Sequence, residues 1–401
     1  MAEIKPPVET FARIKVVGVG GSGGHAISRM IDGKLKGVEF VAINTDAQDL
    51  HHNRAPEKVH IGKNLTKGLG SGMNPDVGRQ AAEENRDEIQ EVLKGSDMVF
   101  VTCGLGGGTG TGAAPIVAET AKELGALTVA VVTKPFAFEG AQRRAIAEEG
   151  LENLRERVDT LITIPNDKLL QIIDKKTTLI NSFKIVDDVL RQGVQGISDL
   201  ITKPGIVNVD FADVKAIMSN SGSALMGIGV GSGENRAAEA ARAAINSPLL
   251  ELSIDGAKGV LFNVCGSSDL TMLEINEAAN IITESIDPNA KVIFGAVVDE
   301  ALKKGEVQIT VVATGFDEER VRETTVERLS RISLEDTRKK EREPMEEMKV
   351  TFPESFESKM IIDEKVPPKP KKTIAVNKDR DLADEDDELE IPAFIRRKMG
   401  K

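Results

Sequence analysis

Residues 104 to 115 read Gly-Leu-Gly-Gly-Gly-Thr-Gly-Thr-Gly-Ala-Ala-Pro, and this stretch decides how the rest of the chain is read. The apolar run Met98 to Thr102 before it reads as a strand, a helix is expected from about Ala113 to Leu124, and a second strand at Leu127 to Thr133. Repeated glycines between a strand and a helix let backbone N–H groups converge on an anion, and the helix N-terminus adds its positive dipole. The run Gly106-Gly107-Gly108-Thr109-Gly110-Thr111-Gly112 therefore predicts a phosphate cradle.

The same arrangement occurs earlier in the chain. Ile14 to Val19 reads as a strand, Gly20-Gly21-Ser22-Gly23-Gly24 as a tight turn, and His25 to Ile31 as a helix. Alone, this first loop has two further readings. Its glycines can simply permit a tight strand-to-helix turn, and Gly18-x-Gly20-x-x-Gly23 with Glu39 or Asp46 downstream also fits the dinucleotide fingerprint of an oxidoreductase. The second loop has no role in such an oxidoreductase. Strands alternating with helices imply an α/β fold with a Rossmann-like parallel sheet and ligands at the carboxyl ends of its strands.

From about Lys176 to Ile201 the apolar residues Phe183, Val186, Leu190, Val194, Ile197 and Ile201 recur at steps of three or four, the pattern of one long amphipathic helix ending near Lys203-Pro204-Gly205. A second α/β unit follows, with helices near Ala237 to Ala244 and Leu273 to Ile286, and strands near Gly259 to Val264, Lys291 to Val298 and Val307 to Ala313. Composition changes near residue 316. From Asp317 to Glu390, 39 of 74 residues are Asp, Glu, Lys or Arg, and no glycine occurs between Gly315 and Gly400 although the chain holds 37. Few apolar residues remain there to offset the entropy of folding. The expected organisation is a flexible N-terminus at 1–12, a nucleotide-binding domain at 13–175, a central helix at 176–203, a second domain at 204–316, a charged disordered linker at 317–385 and a docking peptide at 386–401. A solvated helix from about Glu318 to Glu347 is the alternative for the first part of the linker.

The chain has 401 residues and a net charge of −12, which argues against binding to a nucleic-acid backbone as its main activity. Its two cysteines, Cys103 and Cys265, build no disulfide framework, and no signal segment opens the chain, so a reducing cytoplasmic setting is expected. No apolar run reaches the length that spans a bilayer, so membrane contact is expected only indirectly.

The glycine–threonine run resembles the signature of the tubulin superfamily, and residues 11 to 316 and 387 to 397 resemble its FtsZ family of bacterial cell-division proteins. Neither loop carries the Gly-Lys-Ser/Thr of a P-loop, so amides, threonine hydroxyls and Mg2+ have to neutralise the triphosphate, the magnesium held mainly by GTP phosphates and water rather than by a protein cage. The resemblance implies GTP binding and hydrolysis to GDP. It places Gly21, Ser22, Gly23, Gly24 and His25 on the α-phosphate side and Gly107 to Gly112 around the β- and γ-phosphates. Ala42-Ile43-Asn44-Thr45-Asp46 resembles a further site loop, and Gly70-Ser71-Gly72-Met73-Asn74 the loop that senses the γ-phosphate. Glu139 and Arg143 match residues for ribose and phosphates, and Asn166, Phe183 and Asp187 residues for guanine. His25 stands where Asn is common in the family and Cys103 where Ala is common.

Chemistry adds to the base assignment. A carboxylate accepts hydrogen bonds from both the N1–H and the amino group of guanine, and adenine offers no such pair, so Asp187 favours GTP over ATP. Phe183 and Asp187 are four residues apart and share a helical face, although the pattern alone equally fits a core phenylalanine and a solvated aspartate.

After the long helix comes Asn208-Val209-Asp210-Phe211-Ala212-Asp213. Read from the residues, such acids are helix caps. The resemblance implies instead that this loop enters the nucleotide site of the next subunit, where Asp210 and Asp213 polarise the attacking water. Hydrolysis then requires head-to-tail self-assembly, and that heterologous contact propagates into an open filament. A filament insensitive to nucleotide is the alternative if those acids are idle. The last residues place Ile391, Pro392, Phe394 and Arg397 between an acidic run and a basic end. They resemble the tail by which the family binds membrane-tethered adaptors such as FtsA at the midcell division site, on the inner face of the membrane. Plasmid-partitioning and cell-shape relatives share the glycine loop, and the tail is what favours cell division.

Overall fold

In the computed structural model the described residues are 12–170, 177–203, 205–250, 253–299 and 302–316. The docking residues Ile391, Pro392, Phe394 and Arg397, and the linker before them, lie outside this set. In chain order the elements are β1 (Ile14–Val19), α1 (Gly20–Asp32), β2 (Glu39–Asn44), α2 (Ala47–His52), β3 (Glu57–His60), α3 (Lys63–Thr66), α4 (Pro75–Glu84) and α5 (Arg86–Leu93). Then come β4 (Met98–Gly104), α6 (Thr109–Glu123), β5 (Leu127–Lys134), α7 (Ala141–Arg155), β6 (Thr160–Pro165), α8 (Asn166–Leu169) and α9 (Leu179–Thr202). The last group is α10 (Phe211–Met218), β7 (Gly222–Ser232), α11 (Arg236–Ile245), β8 (Gly259–Gly266), α12 (Met272–Thr283), β9 (Lys291–Val298) and β10 (Glu306–Thr314).

The strands form a ten-stranded sheet in the order β3-β2-β1-β4-β5-β6-β7-β10-β8-β9. Neighbours are parallel from β3 through β7, and only β10 runs against its neighbours β7 and β8. In β1 and β4 alternate residues enter opposite cores. Ile14, Val16, Met98 and Phe100 pack with α1, α9 and α10, while Val17, Val19, Val99 and Val101 pack with α4 to α7. Burial on both faces is what continuous apolar runs in a parallel sheet require. A third core joins α11 and α12 to β8 and β10.

The expected elements form, with informative differences. The long helix is α9, whose first turn is capped by the Thr178 hydroxyl accepting from Asn181 N. Helices α1 and α6 begin four to five residues earlier than expected, at Gly20 and Thr109, so that glycines of both loops lie within the helices themselves. Strand β7 was not foreseen from its sequence Gly-Ser-Ala-Leu-Met-Gly-Ile-Gly-Val-Gly-Ser, since glycine disfavours strands in general. Packing supplies the reason for those glycines. A Cβ on Gly227, Gly229 or Gly231 would lie 2.0 Å from the carbonyl oxygen of Ala244, Ala240 or Arg236 respectively. Two residues of strand advance about as far as four residues of helix, so alternate glycines meet successive turns of α11.

The sheet passes between its two halves at one short seam. Strand β6 pairs with β7 over Thr160↔Gly222, Leu161↔Ser223 and Ile162↔Ala224 only. Buried Asp159 reinforces it: its backbone carbonyl accepts from Ser221 N and Gly222 N at 2.9 and 3.1 Å, and its carboxylate from Thr128 N at 2.9 Å.

Candidate functional site

At the carboxyl ends of β1, β4 and β5 lies a cavity of about 360 Å³. Of the residues expected there, Gly21, Ser22, Gly107, Gly108, Thr109, Gly110, Glu139, Arg143, Asn166, Phe183 and Asp187 line it. The two glycine loops therefore meet, as the sequence required of a shared anion site. Ser22 Oγ accepts from Gly104 N at 2.8 Å, which ties them directly.

The remaining phosphate-side residues stand behind this wall. A Cβ on Gly23 would lie 2.4 Å from Thr102 O, and one on Gly24 would lie 2.8 Å from Asn53 Nδ2, so both are needed for helix packing. His25 is 71% exposed in its side chain, with Nε2 3.4 Å from Asp49. Gly106 has φ +93° and receives Arg143 O, while Thr111 Oγ1 accepts from Gly106 N at 3.0 Å. Gly112 serves α4, since its Cβ would fall 1.9 Å from Pro75 O. Gly107 differs, with nothing within 4 Å of a Cβ built on it. In this loop the missing side chains chiefly let protein backbone close up, and Gly107 leaves its space to the cavity.

Thr109 joins three loops. Its hydroxyl lies 2.6 Å from Thr45 Oγ1 and 2.9 Å from Ser71 Oγ. Thr45 and Asn44 are buried; Asn44 Nδ2 donates to Asp49 Oδ2 at 2.7 Å, and Asp46 caps α2 by accepting from Gln48 N and Asp49 N. Gly72 and Met73 do not line the cavity and take left-handed φ of +57° and +63°, a conformation that strains Met73 in the loop before α4.

At the opposite end the cavity becomes half apolar. Phe183 is 42% exposed and meets Phe136 edge-on with centroids 5.6 Å apart, so it is a wall residue and not a member of the core stripe. Asp187 pairs with Arg29, Oδ2 to Nε 2.5 Å. Burial pushes the Asp187 carboxyl above the usual carboxylate range, while Arg29 beside it pulls the other way. Asn166 Oδ1 is buried without a hydrogen-bond partner, an acceptor facing a cavity that it lines. A ring, a carboxylate and an amide oxygen at this end suit a flat base with adjacent N–H donors. Glu139 is bonded to Arg143 and accepts from Phe136 N.

Ser71 and Leu105 line it too, as members of the loops read from the sequence, while four lining residues escaped that reading: Thr133, Pro135, Val186 and Leu190. Val186 and Leu190 follow Phe183 at helical spacing, and their stripe was visible but was assigned wholly to the core. They serve both, as buried residues whose flank closes the cavity.

Asn208, Asp210 and Asp213 do not line this cavity. All three are exposed, on the loop and first turn leading into α10. Asp210 holds the cap position, yet its side chain makes no capping hydrogen bond, so capping does not account for its carboxylate. Asn208 Oδ1 accepts from Gly205 N at 2.7 Å.

Comparison with known proteins agrees with this arrangement. Residues 13–174 match the Tubulin/FtsZ family, GTPase domain, and residues 222–317 match the FtsZ family, C-terminal domain. The chain is 51% identical to an M. jannaschii FtsZ solved as an empty dimer, covering 77% of this chain and 89% of that one, with a TM-score of 0.74. CetZ1 from Haloferax volcanii, solved as a GDP-bound monomer, is 22% identical over 76% of this chain and 94% of its own, TM-score 0.66. CetZ2 of the same organism, a GTPγS-bound protofilament, is 21% identical over 81% and 99%, TM-score 0.67. The CetZ likenesses speak to the fold alone, whereas the two matched regions together span more than half of the sequence in the FtsZ order. With its paired glycine loops at one cavity and this degree of identity, the chain belongs to the tubulin/FtsZ family and is a GTP-binding GTPase.

Proposed function

We propose that this GTPase assembles head-to-tail into filaments that form the cytokinetic ring at the bacterial division site, and that each active site is completed by the acidic loop of the adjacent subunit. One observation carries the reading. Among the described residues, the carboxylates that line the cavity are Glu139 and Asp187, and each is paired to an arginine. The described part of the wall thus offers no uncommitted acid to orient an attacking water, while Asp210 and Asp213 stand exposed elsewhere on the subunit.

In this mechanism Gly21, Ser22 and Gly107 to Gly110 hold the phosphates through backbone amides, Asp187 and Asn166 read the guanine edge, and Phe183 packs against the base. Hydrolysis is then a matter of positioning and electrostatic stabilisation, as phosphoryl transfer generally requires. The neighbour's Asp210 and Asp213 orient the water, with Asn208 shaping the loop. Magnesium supplies charge neutralisation on the phosphates. It would be held mainly by phosphate and water oxygens, with the hydroxyls of Thr109 and Ser71, which line the cavity, as the hard oxygen donors beside them. The M. jannaschii FtsZ dimer supports self-association. Adaptors such as FtsA are assigned to Ile391, Pro392, Phe394 and Arg397, with location on the cytoplasmic face at midcell.

Asp213→Ala and Thr109→Arg proteins, assayed separately and mixed, test the shared site. Each alone is expected to turn over GTP slowly, and the mixture to exceed their sum, because intact cavities then face intact acidic loops. Wild-type turnover by Asp213→Ala, linear in protein concentration, would refute the proposal.

A further inference from the structure

The acidic loop begins where α9 ends, and the join is built around a buried carboxylate. Asp199 lies in the last turn of α9 with its side chain 2% exposed. Helix C-termini carry partial negative charge, so an aspartate there works against the helix dipole as well as against burial. Burial pushes its carboxyl above the usual range, and Oδ1 has no hydrogen-bond partner. Helix stability does not account for this group.

The arrangement instead fixes Lys203, the first residue beyond α9. Lys203 Nζ reaches back 2.8 Å to Asp199 Oδ2 and across 3.4 Å to Asp299 Oδ2, just past the end of β9. Burial opposes the Lys203 charge, but the two carboxylates outweigh it and hold the ammonium above the ordinary lysine value. The next residues are strapped to the same strand. Ile206 N donates to Ala296 O at 2.8 Å, and Val207 and Ala296 form an antiparallel bridge. Gly205 is admitted there because a Cβ would lie 2.5 Å from Ala296 O. Both the end of α9 and the start of the loop are therefore referenced to β9.

We propose that Lys203, bridging Asp199 and Asp299, is a positioning residue for GTP hydrolysis: it sets where α9 delivers Asp210 and Asp213, and so acts on the nucleotide of the adjacent subunit and not on its own. The inference rests on the shared-site reading above. Lys203 touches neither substrate nor the reacting atoms.

The test uses the full chain and three variants, Lys203→Met, Lys203→Arg and Asp299→Asn. Nucleotide binding to unassembled Lys203→Met should match wild type, while kcat falls by about tenfold with little change in KM, as a displaced catalytic group would produce. Lys203→Arg keeps the bridging charge and should restore most of the rate; Asp299→Asn should give a smaller loss in the same direction, and serves if Lys203→Met fails to fold. Mixing separates the two sides of the contact. Lys203→Met should regain turnover with Thr109→Arg, which brings an intact acidic loop, and should not with Asp213→Ala, which brings none. Wild-type kcat in both Lys203→Met and Asp299→Asn overturns the clamp, as does failure of Thr109→Arg to rescue Lys203→Met while still rescuing Asp213→Ala. If Thr109→Arg rescues neither, the shared-site reading has failed first.

Discussion

Asp187 shows how far a single residue can be read from sequence. Its spacing from Phe183 placed both on one face of α9, but spacing alone could not separate a base clamp from a core residue beside a solvated one. In the structure Phe183 is exposed, Asp187 is mostly enclosed and held by Arg29, and both line the cavity. Arg29 itself gave no signal in the pattern, because its partner lies 158 positions away in the chain. Exchanging Asp187 for Asn replaces one acceptor by a donor, which suits a xanthine edge better than a guanine edge. The Asp187→Asn protein is expected to lose at least about tenfold in GTP affinity, since hydrogen bonds to a charged group are each worth about 1.5–3 kcal/mol, and to bind XTP better than wild type does. Titration with fluorescent analogues of both nucleotides checks it, and unchanged GTP affinity would remove Asp187 from the base site. The glycines of residues 104–112 were legible as a phosphate loop. That Gly108 and Gly112 also admit the segment leading into α4 was not, because which backbone approaches a glycine is fixed only by tertiary packing.

At the scale of elements, the sequence was clear where apolar residues recur with a period and opaque where packing is done by absent side chains. Strand β7 is the example, its glycines reading as a loop and serving as the floor for α11. A methyl added at Gly229 meets Ala240 O at 2.0 Å with backbone on both sides, so neither partner can yield cheaply. Gly229→Ala should cost about 3 kcal/mol of stability, measurable as a lowered urea midpoint. A second expectation concerns Arg236 at the start of α11, which is buried and bonded to Glu274 on α12 and to Asp269 before it. The Arg236 hydrogen bonds hold the Glu274 carboxyl at about 2 instead of 4.5. A carboxylate so depressed contributes stability above its unfolded value and loses it as pH falls toward the folded one. Arg236→Met should therefore be less stable than wild type at neutral pH, and the difference should shrink as pH falls from 4.5 to 2. Denaturant melts across that range decide it; a difference that grows toward acid would contradict the assignment.

For the whole molecule, the parallel α/β class and the long helix were legible because strand and helix periods alternate along the chain. The joining of all ten strands was not, since the β6–β7 pairing spans some sixty positions and involves three residues on each side. The cavity and the acidic loop are likewise distant in sequence and do not meet within one subunit: the cavity sits on the glycine loops, while Asp210 and Asp213 stand at the N-terminal end of α10. If the tail recruits adaptors, deleting residues 387–401 should abolish adaptor binding and vesicle recruitment in cosedimentation while leaving GTP-dependent light scattering unchanged. Recruitment that survives the deletion would assign the tail another role.

The β6–β7 seam has a mechanical meaning for such a polymer. Between the nucleotide end of a subunit and its acidic end the sheet itself is continuous through only three rungs of parallel strand, the other links being α9 and the core that α10 shares with the first half, while the sheet on either side is knitted over longer spans. If subunits assemble head-to-tail as proposed, the seam is where a pulled filament is expected to bend first, before its length changes.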